Sequence, residues 1–267
     1  KTGLDEFYAS LPFKMTAAQL RCVKEITDDL SSGVPMNRLL QGDVGSGKTA
    51  VAAAACYFSY KNGYQSALMA PTEILAVQHY KTLSGFLEPL GIKTVLLTGS
   101  MTVKEKRAVK DELMSGEAGV AVGTHAIIQK DVEFASLGLV ITDEQHRFGV
   151  SQRAALADKG KSPHKLVMSA TPIPRTLALI IYGDLDISVI DEMPAGRLPV
   201  RTYAVTGKLR KRAFNFVRQQ LDSGRQAYIV CPVIEENESD MLAVKSYFEK
   251  VRGNDFADYS VGLLHGK

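Results

Sequence analysis

What this sequence has little of narrows its class before any motif is considered. No apolar run approaches the length that spans a bilayer. The start, Lys1-Thr2-Gly3-Leu4, lacks the basic and apolar regions of a secretory signal. Cysteine is confined to Cys22, Cys56 and Cys231, an odd and scattered set inside apolar patterns. That distribution excludes a disulfide framework and predicts buried, reduced thiols in a cytoplasmic protein. The five histidines show no metal-ligand spacing with cysteine or acidic residues, so no zinc site is expected. Internal repeats and low-complexity tracts are missing, which removes the repeat architectures. Net charge is only +3, a weak lean toward polyanions. What remains is a globular composition, 45% hydrophobic and 23% charged, long enough at 267 residues for one large domain or two smaller ones. With no initiator Met, the chain reads as a piece of a longer protein.

Residues 37–49 read Asn-Arg-Leu-Leu-Gln-Gly-Asp-Val-Gly-Ser-Gly-Lys-Thr. A short apolar run at Leu39-Leu40 leads into Gly42. Gly45, Ser46, Gly47, Lys48 and Thr49 follow at phosphate-loop spacing, and an alanine-rich helical stretch comes next, 49–60. Strand, glycine loop and helix form the context that gives this spacing meaning. Glycines let backbone N–H groups turn inward around a polyphosphate, and the helix N-terminus adds partial positive charge. Lys48 is then placed to reach the outer phosphates, and the Thr49 hydroxyl to ligate Mg2+. Nucleotide binding is the expectation.

Upstream, Thr16 and Gln19 stand at capping-box spacing ahead of an apolar stripe, Leu20, Val23, Ile26 and Leu30. Gly33 and Pro35 stop that helix. Downstream, strand-like and helix-like segments alternate. Strands are expected at 66–70, 94–97, 119–122, 138–142, 165–169 and 185–190. Helices are expected at 72–87, 103–115, 152–159 and from Pro172 to about 182, with a short turn at 125–129. Short, apolar, often β-branched strands suit a sheet covered on both faces, and the alternation argues for parallel strands with crossover helices. The fold class is therefore α/β with a P-loop. In such sheets ligands sit beyond the carboxyl ends of the strands.

Polar residues gather in those loops: Pro71-Thr72-Glu73, Thr98-Gly99, Gly123-Thr124-His125, Asp143-Glu144-Gln145-His146 and Ser169-Ala170-Thr171-Pro172. Each alone is explicable as turn chemistry. Five on one rim beside a phosphate loop are not. Asp143-Glu144 is the most informative pair. An aspartate capping the next helix is the ordinary alternative, but beside a phosphate loop Asp143 can hold Mg2+ while Glu144 orients and deprotonates a water.

Residues 191–199 carry two prolines and a glycine and read as an interdomain boundary. The expected organisation is a first domain over 1–193, a linker over 194–199 and a second α/β unit over 200–267. In that unit strands are expected at 200–205, 226–231 and 259–264, and helices at 207–221 and 241–251. Lys208, Arg210, Lys211, Arg212 and Arg218 are expected to form a solvated face. The unit is about half the usual length for such a domain, so it is expected to be incomplete.

In order, Gly-Asp-Val-Gly-Ser-Gly-Lys-Thr (42–49), Ala-Pro-Thr-Glu-Ile-Leu-Ala-Val-Gln-His (70–79), Gly-Thr-His-Ala-Ile-Ile-Gln (123–129), Asp-Glu-Gln-His-Arg-Phe-Gly-Val (143–150) and Ser-Ala-Thr-Pro-Ile-Pro-Arg-Thr (169–176) resemble the motif series of superfamily 2 helicases. More narrowly the chain resembles the RecG-type branch-migration helicases, from about Leu11 to its end. The resemblance implies a RecA-like P-loop domain followed by an incomplete second RecA-like domain. It implies ATP and Mg2+ as cofactors and a cytoplasmic, monomeric enzyme without membrane partners. That enzyme would hydrolyse ATP to translocate on duplex DNA and remodel junctions and forks in recombination and repair.

Carried over residue by residue, the resemblance gives Gln19 the adenine edge and Phe13 a place where an aromatic could stack on the base. Gly42, Gly45, Ser46, Gly47, Lys48 and Thr49 match the phosphate loop and its Mg2+ ligand, Asp143 the metal carboxylate and Glu144 the catalytic base. Gln145, His146, Ser169 and Thr171 match positions that couple hydrolysis to movement. Pro71, Thr72, Thr98, Gly99, Thr124, His125 and Gln129 match loops on the nucleic-acid backbone, where hydroxyls and backbone N–H groups hold phosphates without reading sequence.

The resemblance also marks what these 267 residues lack: the family's arginine motif, its later coupling motif and its N-terminal wedge domain. Arginine fingers are worth on the order of 10^3 to 10^5 in turnover, so the piece alone is expected to bind ATP weakly and hydrolyse it poorly. Three competing readings stand beside this one. The translocase module of a transcription-repair coupling factor usually carries Phe where this chain has Ser46 and Glu where it has Gln145. A P-loop ATPase or phosphotransferase acting on another substrate would want an acceptor pocket and lid rather than contacts spread along one edge. An ATPase-dead binding module conflicts with the presence of Lys48, Thr49, Asp143 and Glu144.

Overall fold

The computed structural model describes residues 3–143, 156, 159–160, 162–170, 185–193, 200–231 and 238–264. The chain divides into two compact units, Lys1–Arg197 and Leu198–Lys267.

The first unit runs α1 (Asp5–Ser10), α2 (Ala17–Leu30), β1 (Asn37–Gly42), α3 (Lys48–Lys61), β2 (Gln65–Met69), α4 (Glu73–Leu87), β3 (Thr94–Leu97), α5 (Val103–Ser115), β4 (Val120–Gly123), β5 (Leu137–Asp143), β6 (His164–Ser169) and β7 (Asp186–Ile190). The strands form one sheet in the order β3-β4-β2-β5-β6-β1-β7. All the pairings are parallel. This is the parallel α/β sheet the strand pattern pointed to and the RecA-like arrangement the resemblance implied, and its strands match the expected ranges to within a residue or two.

Alternate residues of the strands face opposite sides of the sheet, as the pleat requires, and Leu39 and Val167 join Leu185 in a small cluster of their own. Leu40, Leu68, Val120, Val122, Leu139, Ile141, Leu166 and Met168 face α1 to α4. Ala67, Met69, Ala121 and Val140 face the opposite way, toward Leu113 of α5 and Ile127. The small side chains of Ala50 and Ala52–Ala55 let the middle of α3, residues 50–57, lie buried beneath the sheet. That burial makes α3 a rigid support for the loop at its N-terminus. Helix α1 was not foreseen: it buries Phe7 against Tyr57 of α3, and the Tyr57 hydroxyl donates to Glu6 Oε2 at 2.7 Å.

The second unit corrects the sequence reading. It contains α6 (Arg210–Asp222) and α7 (Glu238–Lys250), close to the expected helices, with a π-helical turn after α7 over Val251–Asp255. The three expected strands are not formed among the described residues. Val200, Tyr228, Val230 and Leu264 are 83%, 87%, 87% and 95% exposed. A strand exists only where a neighbour takes its N–H and C=O groups, and no described segment of this unit offers that ladder. The basic face of α6 is also only partly solvated. Arg210 pairs with Asp255 at 3.0 Å, and Arg218 donates to the Asp255 carbonyl at 2.6 Å while its guanidinium lies over Phe256. Lys208, Lys211 and Arg212 are exposed as expected. Among the described residues no helix is long and apolar enough to cross a membrane.

Candidate nucleotide and nucleic-acid site

Strand β1 ends in Gly42, and the chain turns back into α3 through 43–47. The turn is closed by Ser46 N–H on the Asp43 carbonyl at 3.1 Å. Gly45 and Gly47 have φ of +81° and +89°, the left-handed region that favours glycine. Lys48 opens α3 and folds back over the loop, donating to the carbonyls of Gly42 at 2.6 Å and Asp43 at 3.0 Å. Thr49 is half-buried, one residue on. The Ser46 hydroxyl is buried and finds no hydrogen-bond partner among the described residues.

Gln19 uses both ends of its amide within the protein. Oε1 accepts the Thr16 N–H at 2.9 Å, while the Thr16 hydroxyl accepts the Gln19 N–H at 3.2 Å, a complete capping box. Nε2 donates to the Ser46 carbonyl at 2.7 Å, a buried bond. The residue thus fastens α2 to the phosphate loop. Phe13 is 42% exposed and meets Phe86 edge-on at 5.9 Å, leaving part of the ring accessible beside α2.

Asp143 closes β5. It stands level with Met168 of β6, which stands level with Leu40 of β1. The parallel order therefore brings the Asp143 carboxylate and the phosphate loop to the same edge, with β6 between them. Two strand spacings put about 10 Å between β5 and β1. Asp143 is buried, and its Oδ2 lies 2.6 Å from Nε2 of His79 on α4. Ser169 is buried at the end of β6, beside Gln41. Glu144, Gln145, His146 and Thr171 lie outside the described residues.

The remaining rim residues follow β2, β3 and β4, which are neighbours in the sheet, so their loops are contiguous. Pro71 and Thr72 are half-buried, and the Thr72 hydroxyl caps α4 by accepting the Leu75 N–H at 3.3 Å. Thr98 is buried, and its N–H points to Met101 Sδ at 3.3 Å. The Gly99 carbonyl accepts from Lys106 Nζ at 2.6 Å. Thr124 is buried, its N–H on the Leu97 carbonyl at 3.3 Å. His125 and Gln129 are exposed on the same edge. The sheet order thus separates the rim into the phosphate loop after β1 and a half after β3, β4 and β2 that carries the residues expected to meet a nucleic-acid backbone, with Asp143 of β5 at the junction.

Two residues in this region had no assigned role. Glu73 Oε1 accepts the Ser100 N–H at 2.9 Å, tying the loop after β2 to the loop after β3. Hydrogen bonding from Ser100 holds the Glu73 carboxyl below its ordinary range. His79 occupies an inward position of α4 with Ala76, Leu83 and Leu87. A polar residue on an apolar stripe was the available signal, but its partner lies 64 residues away in sequence.

A glycine loop, a lysine, a threonine hydroxyl and a carboxylate on one edge make a donor set suited to a polyphosphate with a hard divalent cation. The cradle is a close fit: a Cβ on Gly42 would stand 2.6 Å from Ser46 Oγ, and one on Gly47 would stand 2.2 Å from Gln19 Nε2.

Comparison with known proteins agrees with this geometry. The chain is 53% identical over 269 residues to the ATP-dependent DNA helicase RecG of Bacillus subtilis, covering 99% of this chain and 39% of that protein. It is 54% identical over 275 residues to the RecG of Aquifex aeolicus, covering 100% of this chain and 35% of that protein. A solved structure of RecG bound to a three-way DNA junction is similar with a TM-score of 0.80 at 48% identity, over 92% of this chain and 32% of that one. The DEAD-box helicase Mss116, at 18% identity and a TM-score of 0.56 over 79% of this chain and 48% of that one, shares the fold. The chain spans between a third and two fifths of the length of these curated relatives. A family model for DEAD/DEAH box helicases matches residues 16–180, well over half of the sequence. By fold, motif order and family match, the chain belongs to the DEAD/DEAH box helicases.

Proposed function

We propose that this chain is the nucleotide-binding motor segment of a DNA helicase that remodels branched DNA, working as a monomer in the cytoplasm with ATP and Mg2+. The observation that carries the reading is the single edge on which the sheet gathers the phosphate loop, Asp143 and the three contiguous rim loops. Similarity to RecG proteins over nearly the whole chain, and to RecG bound to a three-way junction, supports DNA as the partner and does not favour the coupling-factor alternative.

In this reading Lys48 leaves the Gly42 and Asp43 carbonyls for the outer phosphates, while the 43–47 loop and the α3 N-terminus cradle the chain of phosphates. Thr49 and Asp143 hold Mg2+, which when bound offsets the phosphate charge. Gln19 senses the nucleotide through the Ser46 carbonyl and the base edge, and Phe13 offers the base a ring face. Glu144 orients and deprotonates the attacking water. Gln145, His146, Ser169 and Thr171 relay the state of the nucleotide to the second unit. Pro71, Thr72, Thr98, Gly99, Thr124, His125 and Gln129 hold the DNA backbone, which suits a motor that must travel without reading sequence.

Binding of a fluorescent ATP analogue and of a labelled three-way junction tests this directly. Lys48→Ala is expected to weaken nucleotide binding at least about tenfold, the loss of one charge-assisted phosphate contact, and to leave junction binding in place. Replacing Thr98 and Thr124 by Val should do the reverse. Equal nucleotide affinity with and without the Lys48 side chain would overturn the assignment.

A further inference from the structure

We propose that His79 is a positioning residue for the magnesium-binding carboxylate: its ring N–H holds one oxygen of Asp143 and leaves the other for the metal. The inference rests on the metal role given to Asp143 above and goes beyond it by naming what orients that carboxylate.

The carboxylate plane of an aspartate turns about a broad, two-fold torsion that its own backbone scarcely restricts. At the end of β5 the 2.6 Å contact from His79 Nε2 to Oδ2 supplies the restriction. A carboxylate only accepts, so Nε2 carries the proton, which fixes the ring tautomer as well. Both side chains are close to nine-tenths buried, at 11% and 12% exposure, so water competes little for either. Stability alone gives little reason for such a pair. An apolar residue at position 79 would continue the Ala76, Leu83 and Leu87 stripe, whereas a buried polar pair roughly breaks even against apolar packing. Orientation is the gain that remains. Groups that hydrogen-bond metal ligands commonly control ligand geometry in this way.

The helix that carries His79 adds a second consequence. α4 begins at the Thr72 cap, behind the rim loop assigned to the DNA backbone, and reaches His79 about 10 Å along its axis. The His79–Asp143 bond is therefore a direct contact between that helix and the metal carboxylate.

The test measures the Mg2+ concentration that half-saturates binding of a fluorescent ATP analogue to the 267-residue chain, with a chelator control. His79→Ala is expected to raise that concentration about 10- to 100-fold and to leave binding in chelator unchanged. His79→Gln, whose amide N–H can take the place of Nε2–H, is expected to restore most of the loss. An unchanged Mg2+ requirement in His79→Ala overturns the proposal, as does a Gln variant no better than Ala.

A measurement on the unsubstituted chain covers the case in which His79→Ala fails to fold. The ring 15N signals absent from His79→Gln are expected to move when Mg2+ joins bound nucleotide, and signals blind to Mg2+ overturn the proposal. Asp143→Asn separates the two levels. If it keeps the normal Mg2+ requirement, the metal role of Asp143 is wrong, and this inference falls with it. If it raises the half-saturating Mg2+ concentration while His79→Ala leaves it unchanged, only the positioning role fails.

Discussion

Replacing Gly47 by alanine addresses the joint between α2 and the phosphate loop, and the structure gives its cost in parts. At φ +89° a side chain costs about 1–2 kcal/mol in backbone strain. The added methyl would stand 2.2 Å from Gln19 Nε2, too close to share the space, so the amide must leave the Ser46 carbonyl it now holds at 2.7 Å. A buried carbonyl left without its donor costs about 1–3 kcal/mol. Lower entropy of the unfolded chain returns about 0.5 kcal/mol. The net expectation is a loss of about 1.5–4.5 kcal/mol, read as a lower urea midpoint at constant slope by far-UV circular dichroism.

The decisive measurement is the same substitution in a Gln19→Ala background. With the amide gone, only the backbone strain less the entropy return remains, so Gly47→Ala should then cost about 0.5–1.5 kcal/mol, and the two changes should be coupled by about 1–3 kcal/mol. Equal costs in both backgrounds would refute the argued contact. A Gly47→Ala protein within about 0.5 kcal/mol of the parent would refute the strain as well.

Three shorter predictions concern parts outside the loop. His164 accepts the Met36 N–H through Nδ1 at 3.0 Å, and burial holds its pKa below the ordinary 6.5. The unfolded chain therefore takes up the proton first, and this contribution to stability is complete above about pH 6.5 and lost as pH falls below it. The drop in melting temperature between pH 7.5 and 5.5 should be smaller in His164→Asn, and an equal drop would exclude the effect. Burial pushes the Cys22 and Cys56 thiols up to about 11 and about 12, while Cys231 is half-buried. A disulfide reagent at pH 8 should label Cys231 quickly and the other two only on unfolding, as mass mapping would show. Arg38 is buried between Asp29 at 2.7 Å and Ser188 at 2.9 Å, joining α2 to β1 and the edge strand β7. Arg38→Ala should cost up to about 3 kcal/mol in urea unfolding, less than a fully buried pair because Asp29 and Glu25 keep some solvent.

The sheet was legible because its signals are local. Each strand is a short apolar run, each crossover helix is punctuated by a cap or a glycine, and parallel topology sends every strand end to one edge. Phosphate-loop residues were legible for the same reason, since 42–49 are contiguous. The second unit shows the limit of that logic. Its segments at 200–205 and 226–231 have the side chains of strands, yet β structure is a property of pairs, and among the described residues they have no partner. Arg210 and Arg218 were misread as solvated because their partners, Asp255 and Phe256, lie a helix and more than 35 residues away.

By itself the sequence determined the α/β alternation, the position of the phosphate loop and the families of residue on the rim, because all of these depend on periodicity and spacing along the chain. Only the tertiary structure decided which strands stand side by side, and hence that Asp143 lies two strands from the loop with His79 against it. Contacts of that kind join residues far apart in sequence through crossover and burial, so no local pattern could have named them.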